Sequence, residues 1–471
     1  MPPHTTAQIR NIVLIGHRGS GKTSLAEALL FDSGMTSRLG SVEQGNTVCD
    51  ADPEEAERGI SIMTALCYAE YGDHKINIVD TPGYAEFVAE VAYGIWVADV
   101  AGLVIDASAG VEVHTRRVYA MARERSLPMI AIVNKMDKER ADFFACIDSM
   151  REALYGCVPV PVQVPVGAEA DFKGVVDLLT MRAYLGKGNG VKQTEVPDEV
   201  ADAVNKARVQ MIEAVVETND ELLEKYLSEE EITADELKTA LRQGLIDGRL
   251  VPVVATSATQ DIGGVPLLEF VASVCPSPAE LKPWRGTLAD SDQEAAVAPD
   301  PDEPFCAFIF KTLTDPYVGR ISFLRVVGGM ARADANVVVG ATGRREKCSG
   351  LAVAQGRKTQ QTGELWPGDL GCVTRLEEAR TGDTLCDPRR RVVFPRPQLP
   401  QPMYSLAVRG ASRQDEDKLG TALERAADED VGFHYERSAD TGELVVSGMG
   451  PLHLETVISR LQRQFQVQVQ L

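Results

Sequence analysis

The sequence has no apolar run long enough to cross a bilayer as a helix, so an integral membrane protein is not expected. Its N-terminal stretch, MPPHTTAQIRNIVLIG, lacks the apolar core and cleavage site of a secretory leader and runs straight into a strand-like segment, which predicts a cytoplasmic protein with no membrane partner. The 9 cysteines are odd in number and form no C-x-x-C pair. Cys49, Cys67, Cys146, Cys157 and Cys275 are scattered among apolar or ordinary positions. They read as small thiols in a reducing compartment, against a disulfide frame or a cysteine metal site. Positive charge is also in short supply: 48 Lys and Arg stand against 69 Asp and Glu, a net charge of -21. That balance excludes a generic coat for nucleic acid, while leaving room for docking on RNA through local patches such as Arg344–Lys347 and Arg389–Arg391. Those two runs read more readily as solvated faces. No internal repeat and no long low-complexity segment is present.

What is there is enough chain for several cores: 471 residues predict two to four domains. Asn11–Gly16 (NIVLIG) reads as a buried strand, followed by a Gly-rich turn and a helix carrying Leu25, Ala28 and Leu29 at helical spacing. Further strands are predicted at Ile76–Asp80, Val100–Asp106, Met129–Asn134 and Val251–Thr256, with helical patterns between most of them, as in a doubly wound α/β domain. The gap between the last two is too long for a loop. It holds one long amphipathic helix, with Val204, Met211, Val215, Leu222 and Leu223 on its period, and a capping box at Thr233 and Glu236. The reading is therefore a domain over 1–287 with an insertion at about 159–248, then a linker over 288–303 rich in Pro, Asp and Ala. Short alternating strands over 304–396 read as a small β-barrel. After a Pro-rich hinge, 397–471 follows a βαββα(β) order, as in a ferredoxin-like domain. The last residues, FQVQVQL, break off in mid-strand, which reads as a shortened chain.

Gly16–Thr23 reads GHRGSGKT, a phosphate-binding G-x-x-x-x-G-K-[ST] loop in its proper place after a strand and before a helix. Backbone N–H groups from Gly16, His17, Arg18, Gly19, Ser20 and Gly21 onward to Ser24 can cradle phosphates. Lys22 supplies charge to the β- and γ-phosphates, and the Thr23 hydroxyl suits Mg²⁺. Asp80 closes its strand in DTPG, where it can hold Mg²⁺ through water, and Gly83 can offer an N–H to the γ-phosphate with no Cβ in the way. In NKMD, the Asp137 carboxylate can accept from guanine N1 and the 2-amino group together, a pair that adenine lacks. Asn134 can read the other edge, with Lys135 beside it, and Ser257-Ala258 suits a last guanine contact through the Ala258 N–H. GTP or GDP is thus the expected ligand. Between these motifs, EEAERGISI (Glu54–Ile62) is either a solvated acidic helix followed by a strand, or a switch that orders on the γ-phosphate with the Ser61 hydroxyl on Mg²⁺.

The set ERGISI, DTPGY, NKMD and SA resembles the translational GTPases. TDPYVGRISFLRVVGG, TGDTLCDP and SGMGPLHLE are similar to the second and third domains of bacterial elongation factor G. The resemblance covers essentially the whole chain. It implies a multidomain α/β fold: a P-loop GTPase domain with an inserted α/β subdomain, then a β-barrel, then a ferredoxin-like α+β domain. It further implies a monomeric factor that hydrolyses GTP on the ribosome in translocation or a related step. That family continues into two further domains, and the expectation is a shortened form without them.

Three motifs depart from the family pattern. Tyr84 stands where His follows DTPG, Arg18 and Gly19 replace Ile and Asp of the P-loop, and Ser61 replaces Thr. The first two are similar to divergent elongation-factor-G-like paralogues. A phenol is neutral at pH 7, so Tyr84 can orient water through a hydrogen bond but delivers no positive charge, which predicts slow hydrolysis. Alternatively, Tyr84 packs against the switch. Arg18 could replace the missing charge or point to solvent, and Gly19 removes a carboxylate that could hold a monovalent cation. On these residues Tyr84, Lys22 and Gly83 are the expected catalytic groups. The competing readings are a GTP/GDP-dependent binding switch that does not hydrolyse, and a ribosomal protection or recycling factor.

Overall fold

The structure, a computed structural model, describes residues 4–291, 293–315 and 318–471. The first three residues of the N-terminal stretch, Asp292 of the expected linker, and Pro316 and Tyr317 of TDPYVGRISFLRVVGG lie outside the described residues. The chain forms two compact units: one holds the residues up to Gly83, Ala98–Lys282 and Gln355–Lys358, the other Tyr84–Val97, Pro283–Ala354 and Thr359–Leu471.

In chain order the first elements are β1 (Ile9–Ile15), α1 (Lys22–Asp32), α2 (Pro53–Arg58), β2 (Ala65–Tyr71), β3 (His74–Asp80), α3 (Val88–Val97) and β4 (Val100–Asp106). There follow α4 (Val113–Glu124), β5 (Met129–Asn134), α5 (Phe143–Ala153) and β6 (Pro159–Pro161). After these come β7 (Gln163–Val166), β8 (Gly174–Asp177), β9 (Arg182–Leu185), β10 (Lys192–Thr194), α6 (Ala201–Val216), α7 (Asp220–Leu227), α8 (Ala234–Ile246), β11 (Val251–Ala255) and α9 (Gly264–Val274).

The first unit is built on a seven-stranded sheet ordered β2-β3-β1-β4-β5-β11-β6. All its pairings are parallel except β2 with β3. Every residue of β1 is buried, as a central parallel strand covered on both faces requires. In a parallel sheet all the C-terminal strand ends lie along one edge, and ligands of open α/β sheets bind there. That edge carries Gly16, Asp80, Asp106, Asn134 and Thr256.

Two sequence expectations change in this unit. The insertion is expected to open at about residue 159, but Pro159–Pro161 pairs with β11 and completes the main sheet. The insertion proper is the antiparallel sheet β10-β9-β8-β7 with α6, α7 and α8. The single long helix is two, because Asn219 leaves helical geometry and its side chain accepts the Leu222 N–H to cap α7. A short Asx side chain competes with the helix for its own backbone, and here it wins. Asn219→Ala should therefore lower the stability of this subdomain by about 1 kcal/mol, read as an earlier denaturant midpoint with unchanged nucleotide binding. The Thr233–Glu236 capping box opens α8 as expected.

In the second unit, part of the expected linker is a strand. Strand Glu294–Val297 pairs with Trp284–Leu288, because Ala295 and Val297 alternate inward while Glu294 and Ala296 face out. Residues from Cys306 to Cys386 supply a β-rich fold around Cys306–Asp315 and Gly319–Gly328, with Ile309, Leu324, Val326 and Leu385 in its core. The last segment has strands Tyr404–Gly410, His434–Arg437, Leu444–Gly448 and Val469–Gln470, with helices α10 (Arg413–Glu429) and α11 (Pro451–Phe465). Leu419, Leu423, Val446, Leu454 and Val457 form its core, in the expected βαββα(β) order.

Candidate functional site

The P-loop runs from the end of β1 into α1. Gly21 takes the left-handed conformation at the helix N-cap with φ 88°, and a Cβ there would overlap Asn134 Nδ2. His17 is half-buried, Arg18 and Gly19 are exposed, and Ser20 is buried. Lys22 is buried, and its Nζ donates to the carbonyls of Gly16 (3.1 Å) and His17 (3.0 Å). Burial lowers its pKa to about 8, with Asp80 and Asp50 opposing the shift. His17 Nε2 also meets Glu112 Oε1 at 3.3 Å.

Thr23, Ser61 and Asp80 converge, although they come from α1, the segment after α2, and β3. The Thr23 hydroxyl donates to Asp80 Oδ2 at 2.7 Å and lies 3.0 Å from Ser61 Oγ. Asp80 Oδ1 is buried and receives no hydrogen bond from the described residues. Burial pushes the Asp80 carboxyl up to about 7, with the Thr23 hydrogen bond and Lys22 pulling down. An all-oxygen set with an orphaned buried carboxylate oxygen fits a hard, oxygen-seeking cation such as Mg²⁺.

The segment carrying Ser61 is not a solvated acidic helix followed by a strand. Glu54 and Glu55 are buried, and no strand begins before Ala65. Glu55 Oε1 accepts the N–H groups of Ile62 and Met63 at 2.9 Å each, and its Oε2 accepts that of Asp52 at 3.1 Å. Glu27 Oε1 likewise accepts from Val48 and Cys49. Burial raises Glu55 and Asp50 to about 7. Sequence reasoning misses these three carboxylates, since nothing local marks them as buried. Arg357 reaches the segment too, with its guanidinium 2.6 Å from Asp52 Oδ2.

Asn134, Lys135, Asp137, Ser257 and Ala258 come together beside the P-loop. Asn134 Nδ2 donates to the Ser20 carbonyl at 2.9 Å, and its Oδ1 accepts from Ala258 N (3.0 Å) and Thr256 Oγ1 (3.2 Å). The Ala258 N–H and the Asn134 carbonyl oxygen, both expected to read guanine, thus hold each other. Asn134 braces the P-loop against the turn after β11. Ser257 Oγ donates to Asp137 Oδ1 at 2.6 Å and fixes that carboxylate. Lys135 Nζ pairs with Asp106 Oδ2 at 2.7 Å.

Gly83 closes the DTPG segment within 3 Å of its neighbours, judged by a Cβ built on it: 2.6 Å from Lys22 Nζ and 2.7 Å from Arg18 Cα. Tyr84, the next residue, is half-buried and belongs to the second unit, where it precedes the turn Ala85–Phe87. The basic runs weighed as RNA patches are ion-paired within that unit: Arg344 with Glu378, Lys347 with Asp334, Arg389 with Asp387 and Arg391 with Asp290. No described helix is long and apolar enough to cross a membrane.

Comparisons with known proteins run along the whole chain. The family described as the elongation factor Tu GTP-binding domain matches residues 7–277. Elongation factor G domain 2 matches 304–388, and elongation factor G domain III matches 399–471. Elongation factor G of Thermotoga petrophila is 38% identical over 465 residues, covering 98% of this chain and 67% of the relative. That of Thermotoga neapolitana is also 38% identical, with the same coverage. A crystal structure of a protein from Thermus thermophilus superposes with a TM-score of 0.87 at 32% identity, covering 98% of this chain and 67% of that one.

Proposed function

Since the chain belongs to the elongation factor G family of translational GTPases and is a GTP-binding translation factor of that type, we propose that it hydrolyses GTP when docked on the ribosome, from the cytoplasm and as a monomer, with Tyr84 in place of the usual histidine setting a slow rate. The observation that carries this reading is the convergence of Thr23, Ser61 and Asp80 beside Lys22 and Gly83.

Lys22 and the P-loop amides from Gly16 to Ser24 bind the β- and γ-phosphates. A lysine with its pKa lowered to about 8 still carries its proton at pH 7, and an arriving phosphate favours that charge further. Mg²⁺ would be held by Thr23 and Ser61, with Asp80 behind them through water, and when bound it neutralises charge developing on the phosphate oxygens. Gly83 presents its N–H to the γ-phosphate. The Asp137 carboxylate, fixed by Ser257, selects guanine, while Asn134 and Ala258 hold the binding loops in register and Lys135 lies over Gly21. Tyr84 orients the attacking water by its hydroxyl. Positioning and electrostatics carry most of phosphoryl transfer, so losing the cationic part of the site slows the reaction without weakening nucleotide binding.

The deciding experiment is phosphate release at saturating GTP, with and without ribosomes. Strong stimulation by ribosomes supports the reading. Tight GTP binding with no turnover in either condition would replace it with a nucleotide-dependent binding switch. Within the enzyme reading, Tyr84→Phe should cut ribosome-stimulated turnover by about tenfold, the worth of one hydrogen bond to water, and leave the Kd for GTP unchanged. Equal turnover of the two proteins would assign Tyr84 to packing.

A further inference from the structure

Two neighbouring carboxyl groups in the nucleotide-binding unit, Asp32 buried and Asp261 half-buried, are used by nothing described so far. Asp32 is the last residue of α1, the helix that opens with Lys22 and Thr23, and it is only 6% exposed. Asp261 lies in the turn after β11, which is closed by paired hydrogen bonds between Ser257 and Ile262 (2.9 and 3.1 Å). Neither oxygen of Asp32 nor Oδ1 of Asp261 receives a hydrogen bond from any donor among the described residues. Asp32 Oδ1 and Asp261 Oδ2 face the same spot beside Gly188, and two carboxyls that meet there can hydrogen-bond only if one of them carries a proton.

The enclosure is tight. A Cβ at Gly264 would overlap Asp32 Oδ2, and one at Gly188 would overlap Asp261 Oδ2. The Gly188 N–H also donates to the Asp261 carbonyl at 2.8 Å, so the inserted subdomain closes the third side. The turn held in this way carries Ser257, which fixes Asp137, and Ala258, which fixes Asn134.

We propose that Asp32 is a positioning residue for guanine nucleotide binding: with Asp261 it forms a one-proton carboxyl clasp that holds the Ser257–Asp261 turn against the end of α1. The proposal rests on the reading of that turn as part of the guanine site.

Two carboxyls that meet with one of them buried resist ionising together. Burial, with the charge of Asp261 adding to it, pushes Asp32 up to about 8. Tyr71, at the end of β2, is near enough to Asp32 to feel its charge, and Glu269 on α9 acts on the same phenol. Lys187, whose ammonium sits 3.0 Å from Gln260 Oε1, favours ionised Asp261. The sign follows from the raised value. The closed turn holds a proton that hydrated, separated carboxyls release, so the clasp is intact at low pH and is lost as pH rises through about 8. One proton taken up on closure changes affinity by up to about tenfold per pH unit.

The test is the Kd of the full chain for GDP and for ADP from pH 6 to 9.5, on the native protein and on Asp32→Asn and Asp261→Asn. Either amide can donate permanently to the remaining carboxylate, so these variants keep the clasp without its proton. The native Kd for GDP, divided by that of either variant, should rise about tenfold between pH 6.5 and 8.5. Taking the ratio removes the pH dependence that Lys22 and the nucleotide share among all three proteins. Parallel profiles with GDP still preferred over ADP would overturn the clasp and leave the guanine site standing. Loss of that preference in the native protein at pH 7 would overturn the guanine reading and the clasp with it.

Discussion

Asp137→Asn should weaken GDP binding by about 10²–10⁴-fold. The carboxylate can accept two charge-assisted hydrogen bonds from one edge of guanine, each worth about 1.5–3 kcal/mol, and an amide cannot accept both. Its orientation is set before the base arrives, because Ser257 Oγ already donates to Oδ1 at 2.6 Å. An asparagine oxygen can keep that Ser257 contact, so the fold and the P-loop should be unaffected. The new amide N–H can donate to the 2-carbonyl of xanthine, so affinity for XDP should rise as that for GDP falls. Competition titrations with GDP, XDP and ADP measure all three. A Kd for GDP within about twofold of the native value would remove Asp137 from base recognition.

Gly83→Ala should abolish most GTP turnover while sparing GDP affinity. The added Cβ would stand 2.7 Å from Arg18 Cα and 2.9 Å from Arg18 N, both backbone atoms of the P-loop. Backbone there cannot yield without disturbing the phosphate cradle, so the DTPG segment must move away instead. A displacement of about 1 Å in a group that touches the reacting phosphate costs on the order of 10²-fold in rate. GDP has no γ-phosphate to feel the shift, so its Kd should stay within about threefold. Single-turnover hydrolysis beside a GDP titration separates the two effects. Native turnover in Gly83→Ala would show that the segment has another route to the γ-phosphate.

Several elements are legible because their signal is local. GHRGSGKT, DTPG and NKMD each combine a buried strand end with residues whose chemistry suits a phosphate or a base, and the structure carries them on one edge of one sheet. Alternation and period predict β1, β3, β4, β5 and β11 to within about two residues, and the βαββα(β) order of the last segment. The failures are equally specific. β6 escapes the main sheet on sequence alone because Pro159–Pro161 carries no strand pattern of its own and becomes a strand only by pairing with β11. The break before α7 is hidden because apolar spacing runs on across Asn219, while the cap depends on one side-chain hydrogen bond. Strand Glu294–Val297 is masked by a composition that reads as linker, and only its partner Trp284–Leu288 orders it.

The sequence by itself determined the family, the α/β class, the ligand chemistry of the P-loop and NKMD, and the substitution at Tyr84. Each is written in contiguous residues whose chemistry does not depend on what surrounds them. Only the tertiary structure decided which of the many acidic residues matter. Glu27, Asp50 and Glu55 look like ordinary surface carboxylates until the fold buries them around the Ser61 segment. Asn134 becomes a brace, and Ser257 a support for Asp137, only when residues more than 100 positions apart are brought within 3 Å. Asp32 and Asp261 come together beside Gly188 for the same reason. Desolvation and long-range hydrogen bonding are properties of a place in the fold, and a linear sequence does not name its places.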